Sequence, residues 1–312
     1  MSRYSSILGL IGNTPLVDVS VLSPNPAVSI FAKLEGQNPG GSCKDRIALA
    51  MVEAAEAEGR LSPGATILEP SSGNTGIGLA LVARLKGYRL HVVMPENVSV
   101  ERRQLLEIFG ATIELSPGEE GSNGAIRRAQ TVSIERPELV MLFQYGNPAN
   151  PDAHYRTTGP EIWADCPEVT AFVAGLGTSG TLMGVGRYLK EQNPEVEVVA
   201  VEPPSGELVQ GLRNLDDGFV PPIFDGSILD RRMIVRPKES IEWTRRLLND
   251  AGVFSGISSG AAIAGSVKTA ARMESGTVVT LLPDAGWKYL SSGAWTDDLD
   301  VVVERATRIN YW

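Results

Sequence analysis

Apolar and polar positions alternate in blocks along the chain, and the blocks predict strands followed by helices. Short apolar runs, as at residues 28–34 and 277–282, lack the strict two-residue alternation of a sheet with one wet face. Longer segments such as residues 44–57 carry apolar residues at helical spacing. Strands that are apolar on both faces are typical of parallel sheets covered by helices on both sides. The chain is therefore predicted to be an α/β protein with two parallel-rich sheets.

The same pattern sets approximate bounds for each element. Strands are predicted at residues 28–34, 65–69, 89–94, 112–115, 140–143, 171–174, 197–201 and 277–282. Helices are predicted at residues 44–57, 77–86, 100–109, 123–134, 181–191, 241–250 and 260–270. Residues 146–155 follow neither period and are predicted to form a linker that crosses between the two halves. In such folds ligands bind beyond the carboxyl ends of strands, where loops meet.

Two loop segments in the first half carry groups suited to cofactor chemistry. The segment NPGGSCKDR at residues 38–46 places Lys44 at the start of a predicted helix, with Ser42 as its expected N-cap. The segment SSGNTG at residues 71–76 supplies amides and hydroxyls that suit an anion. An amine that forms a Schiff base, beside a loop that binds a carboxylate, indicates pyridoxal-phosphate chemistry on an amino acid.

A glycine-rich segment in the second half, GLGTSGT at residues 175–181, follows a predicted strand and begins a predicted helix. Backbone N–H groups at such a helix start bind phosphate. The segment also matches the dinucleotide fingerprint, with Glu202 about 20 residues further on, and a plain strand-to-helix turn is a third interpretation. Its hydroxyl groups favour the phosphate of pyridoxal phosphate, which has several free oxygens. The residues of this phosphate loop are Gly177, Thr178, Ser179, Gly180 and Thr181.

Ser258, in the segment GISSG of residues 256–260, allows two roles, which are compatible with each other. Its hydroxyl can meet the pyridine nitrogen of the cofactor, or it can cap the helix predicted to begin at Gly260. A hydroxyl leaves that nitrogen largely unprotonated, which makes the ring a weaker electron sink than a carboxylate would. A weaker sink suits β-elimination, in which the leaving group departs soon after the Cα proton is lost.

Composition narrows the function further. The chain of 312 residues is long enough for two domains, and its formal net charge of -9 argues against general nucleic-acid binding. No apolar run approaches the length of a membrane span, and the N-terminus lacks the apolar core of a signal peptide. Two cysteines and two histidines provide neither a disulfide framework nor a metal site. A reduced, cytoplasmic enzyme without a metal is expected.

The sequence resembles the cysteine synthases, a family of fold-type II pyridoxal-phosphate enzymes. The resemblance runs from GNTP at residues 12–15 to YLSSG at residues 289–293, and so covers almost the whole chain. It implies two α/β domains with the cofactor in the cleft between them, in a protein that forms a homodimer. By resemblance, residues 38–150 form a smaller, mobile domain. Residues 1–37 together with 151–312 form a larger domain that binds the cofactor phosphate.

The resemblance also implies a role for each motif residue. Lys44 corresponds to the Schiff-base lysine, Asn74 to the asparagine that bonds the phenolic oxygen of the cofactor, and Ser258 to the pyridine partner. Residues 177–181 correspond to the phosphate cup. Once freed from the cofactor, Lys44 is expected to act as general base on the Cα proton, with a pKa lowered by burial. The substrate carboxylate is expected to be bound by Ser71, Ser72, Thr75 and Gln144.

Arg213 bears on which serine ester the enzyme uses. An arginine at this position can bind a phosphate ester through a bidentate contact, or it can lie on the surface and pair with Asp216 or Asp217. Together with AGWKY at residues 285–289, Arg213 resembles the actinobacterial branch of the cysteine synthase B group. That branch uses O-phosphoserine and a thiocarboxylated sulfur-carrier protein.

The resemblance therefore implies that sulfur from the carrier protein, or from sulfide, replaces the phosphate of O-phosphoserine through an aminoacrylate intermediate. An O-acetylserine sulfhydrylase that uses sulfide or thiosulfate is the alternative, and a serine or threonine dehydratase is a more distant one. In the same branch the C-terminal tail can enter the cleft and guard the intermediate. That role is expected here of Tyr311 and Trp312.

Overall fold

The apolar runs of the sequence form the strands of two separate sheets in the computed structural model, which describes residues 3–71 and 73–308. The strands within these residues are β1 Leu16–Asp18, β2 Val28–Leu34, β3 Thr66–Pro70, β4 Arg89–Pro95, β5 Thr112–Ser116, β6 Leu139–Met141, β7 Ala171–Gly175, β8 Glu197–Glu202, β9 Arg231–Ile234 and β10 Gly276–Leu282.

Helices connect most of these strands. The α-helices of the described residues are α1 Lys44–Ala57, α2 Asn74–Lys86, α3 Val100–Ile108, α4 Gly121–Glu135, α5 Ala149–Ala153, α6 Gly159–Asp165, α7 Gly180–Gln192, α8 Pro237–Ala251, α9 Ile257–Ala270 and α10 Leu299–Arg308. Helix α8 shows common start and stop signals, since a proline occupies its first turn and Gly252 ends it in the left-handed conformation. A π-helix at His154–Thr158 joins α5 to α6.

The larger sheet has the strand order β1-β2-β10-β7-β8-β9, and the smaller has the order β5-β4-β3-β6. Every pair is parallel except β1 with β2. Central strands are buried on both faces, as in β10, where every residue after Gly276 is buried. The predicted α/β class with two parallel-rich sheets is confirmed.

The first and last parts of the chain meet in the larger sheet. Strand β2 lies beside β10, whereas the smaller sheet uses only residues 66–141. This sheet membership is compatible with the predicted domain boundaries at 38–150 and at 1–37 plus 151–312, which stay a prediction. Among the described residues, no helix is both long and apolar enough to cross a membrane.

Residues 146–155 do cross between the two sheets, as predicted, but most of them are helical rather than irregular. Residues from Ala149 onward form α5 and then the π-helix, so the chain crosses between the sheets as a continuous helical segment. Pro151 is tolerated in this helix because it lies in the first turn of α5, where a missing N–H group costs no helical hydrogen bond. Strands β1 and β9 and helices α6 and α10 were not predicted.

Candidate active site

One cleft collects loops from the carboxyl ends of strands in both sheets. Ser71 follows β3, and the phosphate loop of residues 177–181 follows β7. Pro283 follows β10. The sequence-predicted site residues that line this cleft are Lys44, Ser71, Asn74, Thr75, Gln144, Gly177, Thr178, Ser179, Gly180, Thr181, Arg213 and Ser258. Ser72 lies outside the described residues, as do Tyr311 and Trp312.

Lys44 is the first residue of α1, so the start of the helix fixes its backbone at the cleft. Its Nζ lies 3.2 Å from the Sγ atom of buried Cys43. Burial alone would lower the pKa of the Lys44 amine, but neighbouring Cys43 and Asp284 raise that pKa above its ordinary value. The lowered pKa expected from the sequence is that of Lys44 released from a bound cofactor, and it stays a prediction. The Ser42 hydroxyl accepts the backbone N–H of Lys44 at 3.3 Å, as expected of a capping side chain, although Cys43 is the residue directly before α1.

The hydroxyl of Ser71 shapes the loop that precedes α2. Its Oγ accepts hydrogen bonds from the backbone N–H groups of Gly76, at 2.9 Å, and Gly73, at 3.3 Å. These bonds close the loop and satisfy N–H groups at the start of α2, which begins at Asn74, three residues earlier than predicted. Asn74 therefore lies at the first turn of a helix, beside the cleft.

Thr75 and Gln144 form a second polar wall of the cleft. The Thr75 hydroxyl donates to Gln144 Oε1 at 2.6 Å. The backbone of Gln144 is held in turn by buried Glu69, whose Oε1 accepts its N–H at 2.9 Å. Burial raises the pKa of Glu69 to about 8, although the N–H groups of Gln144 and Phe143 oppose that rise. Glu69 lies two residues before the segment 71–76, and nothing in that segment indicates this function.

The glycines of the phosphate loop leave no space for a larger residue at their positions. A Cβ atom on Gly177 would lie 2.8 Å from the Gly211 carbonyl oxygen, and one on Gly180 would overlap Asn150 Oδ1. Ser179 has a left-handed φ of 71° and is the N-cap residue of α7. Its buried Oγ has no hydrogen-bond partner among residues 3–71 and 73–308. An anion with several oxygens fits this cradle of N–H groups and hydroxyls at a helix start.

Two residues missed by the sequence analysis support the phosphate loop from behind. Asn150 Nδ2 donates to Thr178 Oγ1 at 3.1 Å and to the Gln144 carbonyl oxygen at 2.8 Å. His154 Nε2 lies 3.2 Å from Thr181 Oγ1. Burial holds the pKa of His154 well below its ordinary value, so the ring is neutral. Both residues come from the segment that was predicted to be a linker, and neither was predicted to contact the phosphate loop.

Ser258 is the second residue of α9, and the N-cap residue of that helix is Gly256. The capping role considered for Ser258 is therefore wrong. The side chain is buried at the cleft, where a Cβ atom on Gly211 would lie 3.7 Å from its Oγ.

Arg213 is buried in the cleft wall, with 9% of its surface exposed. Its guanidinium carbon lies 5.1 Å from the centre of the Tyr145 ring and 4.7 Å from that of Phe219. The surface pairing considered for it is wrong, because Asp216 pairs with Arg232 and Asp217 accepts hydrogen bonds from Ser205 and Gly206. Within the described part of the chain, Arg213 forms no ion pair with a carboxylate.

An amine at one side of the cleft and a phosphate cradle at the other suit pyridoxal phosphate, which carries an aldehyde and a phosphate. A family model described as "Pyridoxal-phosphate dependent enzyme" matches residues 7–284. The chain belongs to this family. The predicted cofactor, pyridoxal phosphate, is confirmed. The dinucleotide interpretation of residues 175–181 is accordingly wrong.

Curated relatives place the chain beside the cysteine synthases. It is 44% identical over 303 residues to a cysteine synthase of Staphylococcus aureus, with 94% of this chain and 97% of the relative covered. It is 42% identical to cysteine synthase B of Pseudomonas aeruginosa, with 94% and 98% covered. The resemblance predicted from the motifs is confirmed by these matches.

Solved structures of related enzymes are similar to this fold. An O-ureido-L-serine synthase matches with a TM-score of 0.89 and 41% identity, covering 94% of this chain and 96% of that one. A cysteine synthase of Entamoeba histolytica matches with a TM-score of 0.89 and 34% identity, covering 98% and 96%. The family therefore extends to more than one activity on a serine skeleton, and the substrate has to be argued from the cleft itself.

Proposed function

We propose that this protein is a cysteine synthase that uses O-phosphoserine as its amino-acid substrate. The choice of this ester rests on Arg213, whose guanidinium is buried in the cleft wall. No carboxylate of the described residues forms an ion pair with it. Burying an arginine without an anion is costly, so the site favours a ligand that brings one. A phosphate ester supplies two negative oxygens in the geometry that a guanidinium binds best.

The surroundings of Arg213 leave it able to bind such an ester. Its Nη1 donates only a long hydrogen bond, 3.4 Å, to the Phe219 carbonyl oxygen. The Tyr145 and Phe219 rings pack against the guanidinium and restrict its movement. The leaving phosphate would thus be bound in place before the Cβ–O bond breaks.

The other residues divide the remaining tasks. Lys44 would bind the cofactor covalently and, once freed, take the proton from the substrate Cα. Asn74, Ser258 and residues 177–181 would hold the cofactor ring and its phosphate. When bound, pyridoxal phosphate supplies the electron sink that stabilises the deprotonated Cα.

The substrate carboxylate would be bound by the loop after β3, with Ser71, Ser72 and Thr75, and by Gln144 across the cleft. Binding it would orient the Cα–H bond towards Lys44. The phosphate would then leave Cβ with the bonding electron pair. A sulfur nucleophile would form the new Cβ–S bond, and Lys44 would return the proton to Cα.

The sulfur source and the assembly are part of the same proposal. We propose a small carrier protein with a thiocarboxylate C-terminus as donor, with sulfide as a substitute, and a homodimer as the assembly. An O-acetylserine sulfhydrylase is the second candidate, because isoform 3 of that enzyme from Entamoeba histolytica has a similar structure, at 36% sequence identity.

The test compares kcat/KM for cysteine formation from O-phosphoserine and from O-acetylserine in the wild type and in R213L. We expect the wild type to prefer O-phosphoserine. For R213L we expect kcat/KM with O-phosphoserine to fall about a hundredfold, which corresponds to about 3 kcal/mol for a lost charged contact. We expect kcat/KM with O-acetylserine to change little. The exposed-site variant R136L is the control. A wild type that prefers O-acetylserine, with R213L unchanged on both esters, would favour the second candidate.

A further inference from the structure

The amide of Asn74 lies between two buried charged groups. Its Nδ2 donates to Asp284 Oδ2 at 2.7 Å, and its Oδ1 accepts from Lys288 Nζ at 2.7 Å. Asp284 and Lys288 are 1% and 0% exposed. Both follow β10 of the larger sheet, whereas Asn74 begins α2 beside the smaller one, so this contact spans the cleft.

These two charges determine which way the amide faces. An asparagine amide can turn end for end, because its oxygen and nitrogen are similar in size and differ in donating or accepting. The ammonium group of Lys288 only donates, so the atom facing it must be the oxygen. The Asp284 carboxylate, which also accepts from the Tyr289 hydroxyl, requires the NH₂ group. In the reversed orientation both contacts would be repulsive.

The burial of Lys288 is not explained by an ion pair with an acidic residue. Its Nζ forms no ion pair with a carboxylate in residues 3–71 and 73–308. Burial lowers the pKa of Lys288 to about 8, although Asp284 and Asp45 oppose that shift. A buried ammonium group is costly unless it is satisfied, and here its hydrogen bond goes to an amide that lines the cleft.

We propose that Lys288 and Asp284 are positioning residues that hold the Asn74 amide in one orientation and so keep its second N–H group for the phenolic oxygen of the cofactor. The inference rests on the role proposed above for Asn74. The cation on the amide oxygen also polarises the amide, which makes the remaining N–H a stronger donor. Lys288 thereby acts on the cofactor through Asn74, without touching it.

A double-mutant cycle tests this on the holoenzyme. Equilibrium dialysis gives the apparent dissociation constant of pyridoxal phosphate, and the visible absorption band of the bound cofactor is titrated against pH. We expect K288M to weaken cofactor binding about tenfold, as expected for one charged hydrogen bond, and to shift the titration of the band. K288R, which keeps a cationic donor, should recover most of the affinity. The double variant N74A/K288M should be no weaker than N74A.

The exposed-site variant K238M is the control, and far-UV circular dichroism reports folding. Should K288M fail to fold, K288Q provides a second uncharged variant. Unchanged affinity and titration in K288M, beside an altered N74A, would overturn the inference while leaving the role of Asn74 intact. If cofactor affinity and band titration are also unchanged in N74A, both the inference and the proposed role of Asn74 are overturned. Cysteine formation is read separately, so failure of the proposed synthase activity with normal cofactor binding is a distinct result.

Discussion

Glu69 shows how one buried carboxylate shapes the wall of the cleft. Its two oxygens accept the backbone N–H groups of Phe143, at 2.8 Å, and Gln144, at 2.9 Å, and the residue is 0% exposed. Phe143 has a φ of 56°, a conformation that aromatic residues rarely adopt. The two oxygens of Glu69 hold this strained turn, and the turn places Gln144 beside Thr75.

We therefore predict that E69Q weakens binding of the amino-acid substrate while leaving the cofactor in place. A glutamine offers one acceptor oxygen, so one of the two N–H groups loses its partner and the turn relaxes. The KM for the serine ester should rise about tenfold, in line with roughly 1–2 kcal/mol for a lost buried hydrogen bond. Steady-state kinetics and the visible cofactor absorbance measure the two effects. The exposed-site variant E107Q should change neither, and a parallel loss of cofactor in E69Q would contradict the prediction.

The sequence identified the residues that line the cleft better than the residues that hold them. The lysine, the glycine-rich loop and Ser258 belong to motifs whose chemistry is local to a few neighbouring positions. Asp284 and Lys288 meet Asn74 across more than 200 residues of chain, and no local spacing indicates that contact. Asp284 also helps to raise the pKa of Lys44, after the adjacent Cys43, and that distant contribution is equally invisible in local spacing.

At the scale of elements, the helical segment from Ala149 to Thr158 is the support of the phosphate loop. Asn150 on α5 and His154 on the π-helix contact hydroxyls on either side of the start of α7. The π-helix adds a residue to one turn, a feature often found near functional sites. The element that carries the chain between the sheets thus also braces the cofactor site.

Replacing Gly180 by alanine tests how closely α5 and α7 approach. The added Cβ would overlap Asn150 Oδ1, so Asn150 must move and its bonds to Thr178 and Gln144 must break. We predict that G180A binds pyridoxal phosphate at least about tenfold more weakly, the equivalent of one or two buried hydrogen bonds. Equilibrium dialysis measures the affinity. G226A, where the new Cβ would make only ordinary contacts of 3.5 Å or more, is the matched control. Equal affinity in both variants would refute the close approach.

Element prediction succeeded where burial imposed a clear period. The bounds of β2 and α1 agree with the prediction at both ends. It missed β1 and β9, short strands at the two edges of the larger sheet, in which no residue is fully buried. Tertiary contacts rather than local preference stabilise such elements.

At the scale of the whole molecule, a buried ion cluster joins the segments assigned to the two predicted domains. Arg46 on α1 donates to Glu35 at 2.8 Å and to Glu161 on α6 at 2.8 Å. Lys33 on β2, itself 0% exposed, lies 2.9 Å from Glu161. Burial alone would raise the pKa of Glu161, but Arg46 and Lys33 outweigh it and lower the pKa to about 2.

The cluster predicts how stability depends on pH. A carboxyl whose folded pKa lies below its unfolded value of about 4.5 stabilises the fold above that pH and loses its contribution as the pH falls towards 2. We predict that E161Q unfolds more easily than the wild type at pH 7 by about 3 kcal/mol, the cost of leaving Arg46 and Lys33 short of an anion. Thermal unfolding midpoints should converge below about pH 4.5 as the wild-type carboxyl gains its proton.

Glu195 is exposed and provides the control substitution, E195Q, which should match the wild type across this pH range. A constant difference between E161Q and the wild type from pH 7 to pH 3 would show that the charge of Glu161 is not what stabilises the cluster.

The position of β10 between β2 and β7 has a consequence for synthesis on the ribosome. All four strands of the smaller sheet have been made by residue 141, so that sheet can assemble early. Strand β2 must wait until residues 276–282 emerge, which at about 5–20 residues per second takes on the order of ten seconds or more. Until then the edge of β2 that pairs with β10 is open, and the corresponding edge of β7 stays open once that strand is made. The nascent chain therefore has a complete smaller sheet and an incomplete larger sheet. Its need for chaperone protection is greatest just before β10 is made.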